Sequence, residues 1–198
     1  MSILAILAAY LVGSIPFAVL VSRAMGLPDP RSFGSGNPGA TNVLRTGSKL
    51  AAVLTLAGDA LKGWVAVWVA WAAGLPAETI AAVGLAAFLG HVFSVWLRFK
   101  GGKGVATAAG VLFALDWRVG VGVLAVWATV ALVTRYSSLA AVTAAFVAPI
   151  VIWVIQGPTP MLAAGAVMSA VLVWRHQANL AKLMRGEESR IGQKARPQ

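Results

Sequence analysis

The sequence contains no cysteine, only two histidines and only six acidic residues among 198. The absence of cysteine excludes disulfides, thiolate nucleophiles and cysteine-ligated metals. Two histidines are too few for a zinc site, and six carboxylates spread along the chain do not suggest a metal cage. We therefore expect no metal and no cofactor. The chemistry should rest on hydroxyl, amide and basic groups, or on the substrate itself.

Charge is also scarce, because 11% of the residues are charged and 59% are hydrophobic, whereas soluble domains have about 25% charged residues. This composition indicates an integral membrane protein. The net charge of +10 would also suit a nucleic-acid-binding protein. However, the basic residues lie between long apolar runs, which is typical of the positive-inside rule. We therefore expect a membrane as the partner and no nucleic acid.

The apolar runs predict seven membrane-spanning helices, each needing ~20 mostly apolar residues. The fourth run is short and, at ~1.5 Å per residue, covers about half of a ~30 Å hydrocarbon core, so it is either re-entrant or a short span. The turn Gln156–Pro160 divides the last uncharged run into two helices. The runs are Ile3–Ser22, Leu50–Gly74, Thr79–Leu97, the segment 105–134 beginning with Val105–Leu115, and Tyr136–Trp174.

The distribution of Lys and Arg decides between these two readings of the short run. If it spans, every basic residue except Arg118 and Lys62 falls on one side of the membrane, including Lys194 and Arg196. If it turns back, the basic C-terminal tail falls outside, against the positive-inside rule. The sequence therefore predicts one all-α domain over residues 1–198, a seven-helix bundle with the N-terminus outside, the C-terminus cytoplasmic and a short fourth helix.

The first polar loop, "GSGNPGATNVLR" from Gly34 to Arg45, interrupts this apolar pattern. Its glycines permit conformations in which successive N–H groups point at one anion. Its hydroxyl and amide side chains add neutral donors, and Arg45 adds a charge that can grip a phosphate with two parallel bonds. An ordinary turn followed by a helix N-cap would use the same residues. The predicted phosphate-binding residues are Ser35, Gly36, Asn37, Gly39, Thr41 and Asn42.

The second loop, "RFKGGKGVAT" from Arg98 to Thr107, places glycines around Lys103 before a helix. It is not a P-loop, because the first glycine of that motif is missing and no Ser or Thr follows the lysine. Gly102, Lys103 and Thr107 are still predicted to hold a smaller phosphate at a helix N-terminus. A positive-inside lysine in a flexible turn is the alternative.

A third group of polar residues follows the last apolar run. His176 and Asn179 are three residues apart, so a continuous helix places them on one face. His176 could move protons or donate to phosphate, or could simply be solvated at the interface. Ser138 begins the sixth span on the same side, as an N-cap or a further donor, and Glu188 could orient a basic neighbour. Two other polar features are predicted to be structural: Asp59 and Lys62 as an ion pair within a helix, and His91 as a packing residue.

These motifs resemble a known family, the bacterial acyl-phosphate-dependent glycerol-3-phosphate acyltransferases, PlsY. The resemblance covers nearly the whole chain and is carried by "GSGNPGATNVLR", "DALKG", "GH" followed by "FKGGKGVAT", "RYSSL" and "RHQANLAKLMRGEESRI". It implies a seven-helix enzyme of the bacterial inner membrane with its site at the cytoplasmic face. It also implies that Arg45, Lys103, His176 and Asn179 are catalytic and that Ser35, Thr41 and Ser138 line the site. Family members often have a serine where this chain has Ala141.

The implied reaction moves a fatty acyl group from acyl phosphate to the 1-hydroxyl of glycerol 3-phosphate, giving lysophosphatidic acid and phosphate. An acyl-phosphate-producing enzyme could hand over the donor. The donor is already activated, so we expect direct transfer, with a substrate phosphate oxygen or, less favourably, His176 accepting the proton. The His-x-x-x-x-Asp pair of other glycerolipid acyltransferases is absent. A carrier for a phosphorylated metabolite and a structural subunit with a headgroup site are the competing hypotheses.

Overall fold

The computed structural model describes residues 1–193, and within that range the chain forms α-helices and short 3-10 turns without any β-strand. Lys194 and Arg196, which we assigned to the cytoplasmic side, lie outside the described residues. The helices are α1 (Ser2–Gly13), α2 (Phe17–Ala24), α3 (Ala40–Val43), α4 (Lys49–Ala72), α5 (Ala77–Val92), α6 (Val105–Leu115), α7 (Trp117–Thr134), α8 (Ser137–Gln156), α9 (Pro160–Arg175) and α10 (Gln177–Met184).

The apolar helices of the described residues follow the predicted apolar runs. Four are long and apolar enough to cross a membrane, namely α4, α5 with its following turn, α7 and α8. The pair α1 and α2 passes the same test when taken together, and α6 and α9 are shorter apolar helices. The prediction of an all-helical chain is confirmed for the described residues, and α6 begins and ends at the predicted residues.

The first run is not one continuous helix, although the bent pair α1 and α2 covers the predicted span Ile3–Ser22. The chain bends by 41° between α1 and α2. Pro16 causes the break because it lacks an N–H group and disfavours a helical conformation at Ile15. The carbonyls freed at the break are bonded by distant side chains: Ser94 Oγ donates to Ser14 O at 2.6 Å and Lys62 Nζ donates to Ile15 O at 2.7 Å.

The ends of two further apolar segments lie close to the predicted ends. The third run was predicted to reach Leu97; α5 itself ends at Val92, and the 3-10 turn Val95–Leu97 completes the apolar segment. The backbone N–H groups of Gly101 and Gly102 donate to the carbonyls of Val92 and His91, each at 3.1 Å, so the second polar loop completes the end of α5. The last apolar helix ends at Arg175, one residue beyond the predicted run, and a break at His176 separates it from α10.

Close packing of helix backbones holds the bundle together. A Cβ atom added at Gly13 of α1 would lie 2.1 Å from Ala87 O of α5, and one added at Gly110 of α6 would lie 1.9 Å from Ala60 O of α4. Small residues at such positions allow membrane helices to approach closely and gain van der Waals contact. Helix α5 packs against α1, α4, α6 and α9 and is the centre of the bundle.

Asp59 and Lys62 form the ion pair predicted within the second long helix. Lys62 Nζ lies 2.7 Å from Asp59 Oδ1, and both side chains are at most 3% exposed. His91 Nδ1 lies 3.4 Å from the same carboxylate oxygen. The cluster therefore links α4 to α5 and, through the Lys62 bond to Ile15, to the break between α1 and α2.

Candidate functional site

One cavity of about 620 Å³ lies where the polar loops meet the ends of the helices. It has two parts with different chemistry. Its polar end is formed by the first loop, Lys103, the start of α8, the segment around His176 and the C-terminal tail. Its apolar part continues between α4, α6, α7, α8 and α9 and is lined by side chains that include Leu56, Leu112, Val123, Ala145 and Met168. A phosphate and a hydrocarbon chain can therefore occupy a single space.

The first loop is organised by Asn42, which is buried. Its Oδ1 accepts from Ser35 N at 3.0 Å, and its Nδ2 donates to Pro30 O at 2.6 Å and to Phe33 O at 3.1 Å. The loop turns through Gly34 and Gly36, whose φ angles of 60° and 65° favour glycine. Asn42 lines the cavity, but its amide group is bonded to the backbone of the loop. The neutral side chains of this loop that remain for a ligand are those of Ser35, Asn37 and Thr41.

Arg45 lies at the polar end, half-buried. Its Nη1 donates to Asn42 Oδ1 at 3.3 Å and its Nη2 donates to Ser189 Oγ in the C-terminal tail. Burial lowers the pKa of Arg45, and the nearby Glu188 carboxylate opposes this shift. An arginine side chain remains charged throughout the physiological range, so Arg45 supplies a fixed cation to the cavity.

Lys103 enters the cavity from the second loop, which is held rigidly on both sides. The backbone bonds to the end of α5 fix one side, and Arg175 Nη2 donates to Gly101 O at 3.1 Å on the other. A Cβ atom at Gly102 would lie 2.1 Å from His91 Nε2, so only glycine fits beneath this histidine. Lys103 Nζ then donates to Asn179 Oδ1. The pKa of Lys103 is lowered to about 8, because burial, together with the nearby cations of Arg175, Arg45 and Lys182, outweighs the opposing effect of the Glu188 carboxylate.

His176 and Asn179 both line the cavity. His176 lies at the break between α9 and α10, and Asn179 lies in α10. His176 is buried and its Nδ1 lies 2.8 Å from Leu172 O. Because a carbonyl oxygen only accepts, Nδ1 carries the proton and Nε2 is the acceptor in the neutral ring. The pKa of His176 is lowered to about 4, mainly because the ring is buried; the bond to Leu172 O and the Glu188 carboxylate oppose this shift, and the Lys103 and Arg175 cations add to it.

The C-terminal tail after α10 covers the polar end. Glu188 Oε1 accepts from Ser138 Oγ and from Asn179 Nδ2, each at 2.7 Å. The carboxylate is thus held among the cations and donors of the cavity. Ile191 N donates to Arg135 O at 2.7 Å, which fastens the tail to the loop before α8. Thr41 Oγ1 and Ser137 Oγ, 3.3 Å apart, join the first loop to α8.

The structure brings most of the predicted site residues into one cavity. They are Ser35, Asn37, Gly39, Thr41, Asn42, Arg45, Lys103, Ser138, His176 and Asn179. Three predicted residues do not line it. Gly36 forms the turn behind the loop, Gly102 packs against His91, and Thr107 faces α4, where its backbone oxygen would lie 2.5 Å from a Cβ atom at Gly63. Ala141 lines the cavity at the position where the resembled family often has serine.

Sequence reasoning missed several cavity residues. They include Lys49, Ser189 and the apolar side chains between the helices, such as Ala148. Glu188 was expected only to orient a basic neighbour, whereas it accepts from Ser138 and Asn179. The pair of acidic residues in "GEESR" is an unusual feature in a basic tail and was the one available signal. Nothing in the local sequence shows that the tail folds back over α8.

Comparison with known proteins identifies close relatives along nearly the whole chain. The family model described as glycerol-3-phosphate acyltransferase matches residues 3–186. A glycerol-3-phosphate acyltransferase of Paraburkholderia phytofirmans is 60% identical over 94% of this chain and 89% of its own length. One from Cupriavidus necator is 59% identical, with 95% of each chain covered.

Two crystal structures of PlsY, an integral membrane glycerol 3-phosphate acyltransferase, have the same fold. The glycerol 3-phosphate form superposes with a TM-score of 0.91 at 39% identity and covers 96% of each chain. The lysophosphatidic acid form gives a TM-score of 0.89 at 38% identity, covering 96% of this chain and 95% of the other.

Proposed function

Because the chain belongs to the PlsY family of glycerol-3-phosphate acyltransferases, we propose that it moves a fatty acyl group from acyl phosphate to the 1-hydroxyl of glycerol 3-phosphate. The products are lysophosphatidic acid and inorganic phosphate, in the first step of phospholipid synthesis. One observation carries the proposal: a single cavity joins a cationic, donor-rich end to an apolar groove between helices. An acyl phosphate has this same division between phosphate and hydrocarbon.

The proposed setting is a bacterial inner membrane, crossed seven times, with the N-terminus outside and the cavity at the cytoplasmic face. The apolar helices, the bent pair α1–α2 and the two shorter helices supply seven segments. With that arrangement the basic loops fall on the cytoplasmic side, as the positive-inside rule requires. The donor then arrives from the inner leaflet or by hand-over from the enzyme that makes it.

The charges of the cavity suit two anionic reactants held together. An acyl phosphate and glycerol 3-phosphate bring roughly three negative charges near neutral pH. Arg45 and Lys103 supply cations, and Thr41, Ser138 and Asn179 supply neutral donors. These donors can position the phosphates and stabilise the charge that develops on the acyl carbonyl oxygen and on the leaving phosphate. Glu188 occupies donors that the reactants need, so we expect the tail to move when they bind.

The proposed reaction is direct transfer. The 1-hydroxyl oxygen forms a bond to the acyl carbon, the bond from that carbon to the phosphate oxygen breaks, and phosphate leaves with the electron pair. The hydroxyl proton passes to a phosphate oxygen of a substrate. A phosphate monoester has a second pKa of about 6, whereas the pKa of His176 is lowered to about 4. The substrate phosphate is therefore a stronger base than His176 of the free enzyme. We assign His176 the role of positioning the reactants.

Replacing His176 by glutamine tests this division of roles. Glutamine keeps a polar group of similar reach but cannot act as a base. If His176 only positions the reactants, we expect a moderate fall in kcat together with a rise in KM for glycerol 3-phosphate. Steady-state kinetics and direct binding measure the two effects. Near-complete loss of turnover with unchanged affinity would instead assign the proton to His176.

The pH dependence of kcat/KM should report the protonation state of Lys103. Its pKa is lowered to about 8, so the ammonium is charged below that pH and loses its proton as the pH rises through it. We therefore expect kcat/KM for glycerol 3-phosphate to decline above pH about 8, because this profile reports groups of the free enzyme. In Lys103→Arg the guanidinium stays charged and the decline should move beyond the measurable range, even if the maximal rate falls. Lys100→Arg, in the exposed part of the same loop, is the control and should keep the wild-type profile.

Product analysis tests the function itself. Purified protein is incubated with a fatty acyl phosphate and glycerol 3-phosphate, and phosphate and lipid products are measured together. Equal amounts of phosphate and lysophosphatidic acid are expected. Reconstituted vesicles that take up glycerol 3-phosphate without converting it would point to a carrier instead.

A further inference from the structure

The deep end of the cavity is closed by a small set of buried side chains. Towards the polar end the groove is bordered by Val53 and Leu56, which are 59% and 52% exposed. At the deep end it is bordered by Gly120, Ala148 and Gly165, all buried. The groove thus passes from a part open towards lipid to an enclosed end.

Ile152 of α8 closes this end between α8 and α9. It follows Ala148 by one helical turn on the same face, it is 1% exposed, and it does not line the cavity. A Cβ atom added at Gly165 of α9 would lie 2.4 Å from Ile152 Cδ1, so the isoleucine side chain rests directly on the glycine. The absence of a side chain at Gly165 is what allows Ile152 to fill the space between α8 and α9.

The distance from the polar end to this stop is fixed by two helices. At ~1.5 Å per residue, the path along α8 from Ser138 to Ala148 and the path along α9 from Gly165 to Arg175 each cover about 15 Å. At the polar end, the path along α8 begins at Ser138 and the path along α9 ends next to His176, and both residues contact phosphate in the proposed function. At the deep end, both paths reach Ile152. A chain whose phosphate is fixed at one end therefore has a limited length of enclosed groove.

We propose that Ile152, seated on Gly165, sets the preferred length of the donor's acyl chain. This inference rests on the proposed function, since it takes the apolar groove to hold the chain of an acyl phosphate. A chain that fills the groove gains burial at each methylene, about fourfold in affinity or ~0.8 kcal/mol per group. A chain that reaches beyond Ile152 must bend back or leave through the part of the groove that faces lipid, and it gains little from its last carbons.

The test measures two properties over a series of chain lengths. The first is kcat/KM with saturated acyl phosphates. The second is the affinity for monoalkyl phosphates, which carry phosphate and chain without a transferable acyl group. Ile152→Ala should extend the groove and move both optima to chains longer by about two carbons, with a roughly tenfold change in the ratio of the longer to the original chain. Ala148→Val should narrow the deep end and move both optima to shorter chains.

The matched control is Ile150→Ala on the same helix. Ile150 is 62% exposed and faces away from the cavity, so the same truncation should leave both profiles unchanged. Unchanged optima in Ala148→Val, or a wild-type protein with no length preference, would overturn the proposal, even if Ile152→Ala failed to fold. Length-dependent binding of alkyl phosphates without any acyl transfer would instead contradict the proposed function. It would still support the proposal that Ile152 limits the length of the bound chain.

Discussion

Arg45→Ala is expected to lower kcat/KM by about 10²–10³, the effect of removing one donor that stabilises transition-state charge. Arg45 is the one cation of the first loop in the cavity, and it joins that loop to the tail through Asn42 and Ser189. Its loss leaves Lys103 as the main cation facing two anionic reactants. Steady-state kinetics with each substrate varied in turn measures the effect.

Two variants separate the charge of Arg45 from its structural contacts. Arg45→Lys keeps the charge but cannot bind a phosphate through two parallel bonds, so an intermediate loss is expected. Arg23→Ala removes an exposed arginine of α2 outside the cavity and should leave activity and the thermal midpoint near wild type. A change of less than tenfold in Arg45→Ala would remove this residue from the anion site.

Asp59→Asn should destabilise the fold strongly, by about 3–5 kcal/mol, because it leaves a buried ammonium group without its counter-charge. Lys62 and Asp59 are almost completely buried, and Lys62 also bonds the carbonyl of Ile15 at the helix break. A large fall in the thermal midpoint in detergent is the expected measurement.

The double variant Asp59→Leu with Lys62→Met should recover most of this loss, because removing both charges also removes their desolvation cost. Asp29→Asn is the control, since the ion pair of Asp29 with Arg31 is largely exposed and should change stability by no more than about 1 kcal/mol. Equal effects of Asp59→Asn and Asp29→Asn would show that the buried cluster contributes little to the fold.

Local sequence was sufficient to predict the apolar helices and the polar loops between them. Val105–Leu115 was predicted with the bounds of α6 because charged or glycine-rich residues flank it on both sides. Asp59 and Lys62 were predicted as an ion pair because a spacing of three residues places them on one helix face. The chemistry of the polar loops and the family resemblance together gave thirteen predicted site residues, and ten of them line one cavity.

The differences arise where distant parts of the chain meet. The break at Pro16 is stabilised by Lys62 and Ser94, which are remote in sequence, so an apolar run alone cannot reveal it. Asn42 was predicted to bind phosphate, because its bonds to the backbone of the loop are not visible in the sequence. Glu188 was predicted to orient a basic neighbour, because the sequence does not show that the tail folds over Ser138 and Asn179. Helical periodicity also cannot show that Ile152 rests on Gly165.

The central claim is that both anionic reactants occupy this one cavity at the same time and that the acyl group passes directly between them. Initial rates measured while both substrates are varied test it most directly. Direct transfer predicts intersecting double-reciprocal lines, as for a ternary complex, and no acyl group attached to the protein after incubation with labelled acyl phosphate alone. Parallel lines together with a covalently acylated protein would contradict it.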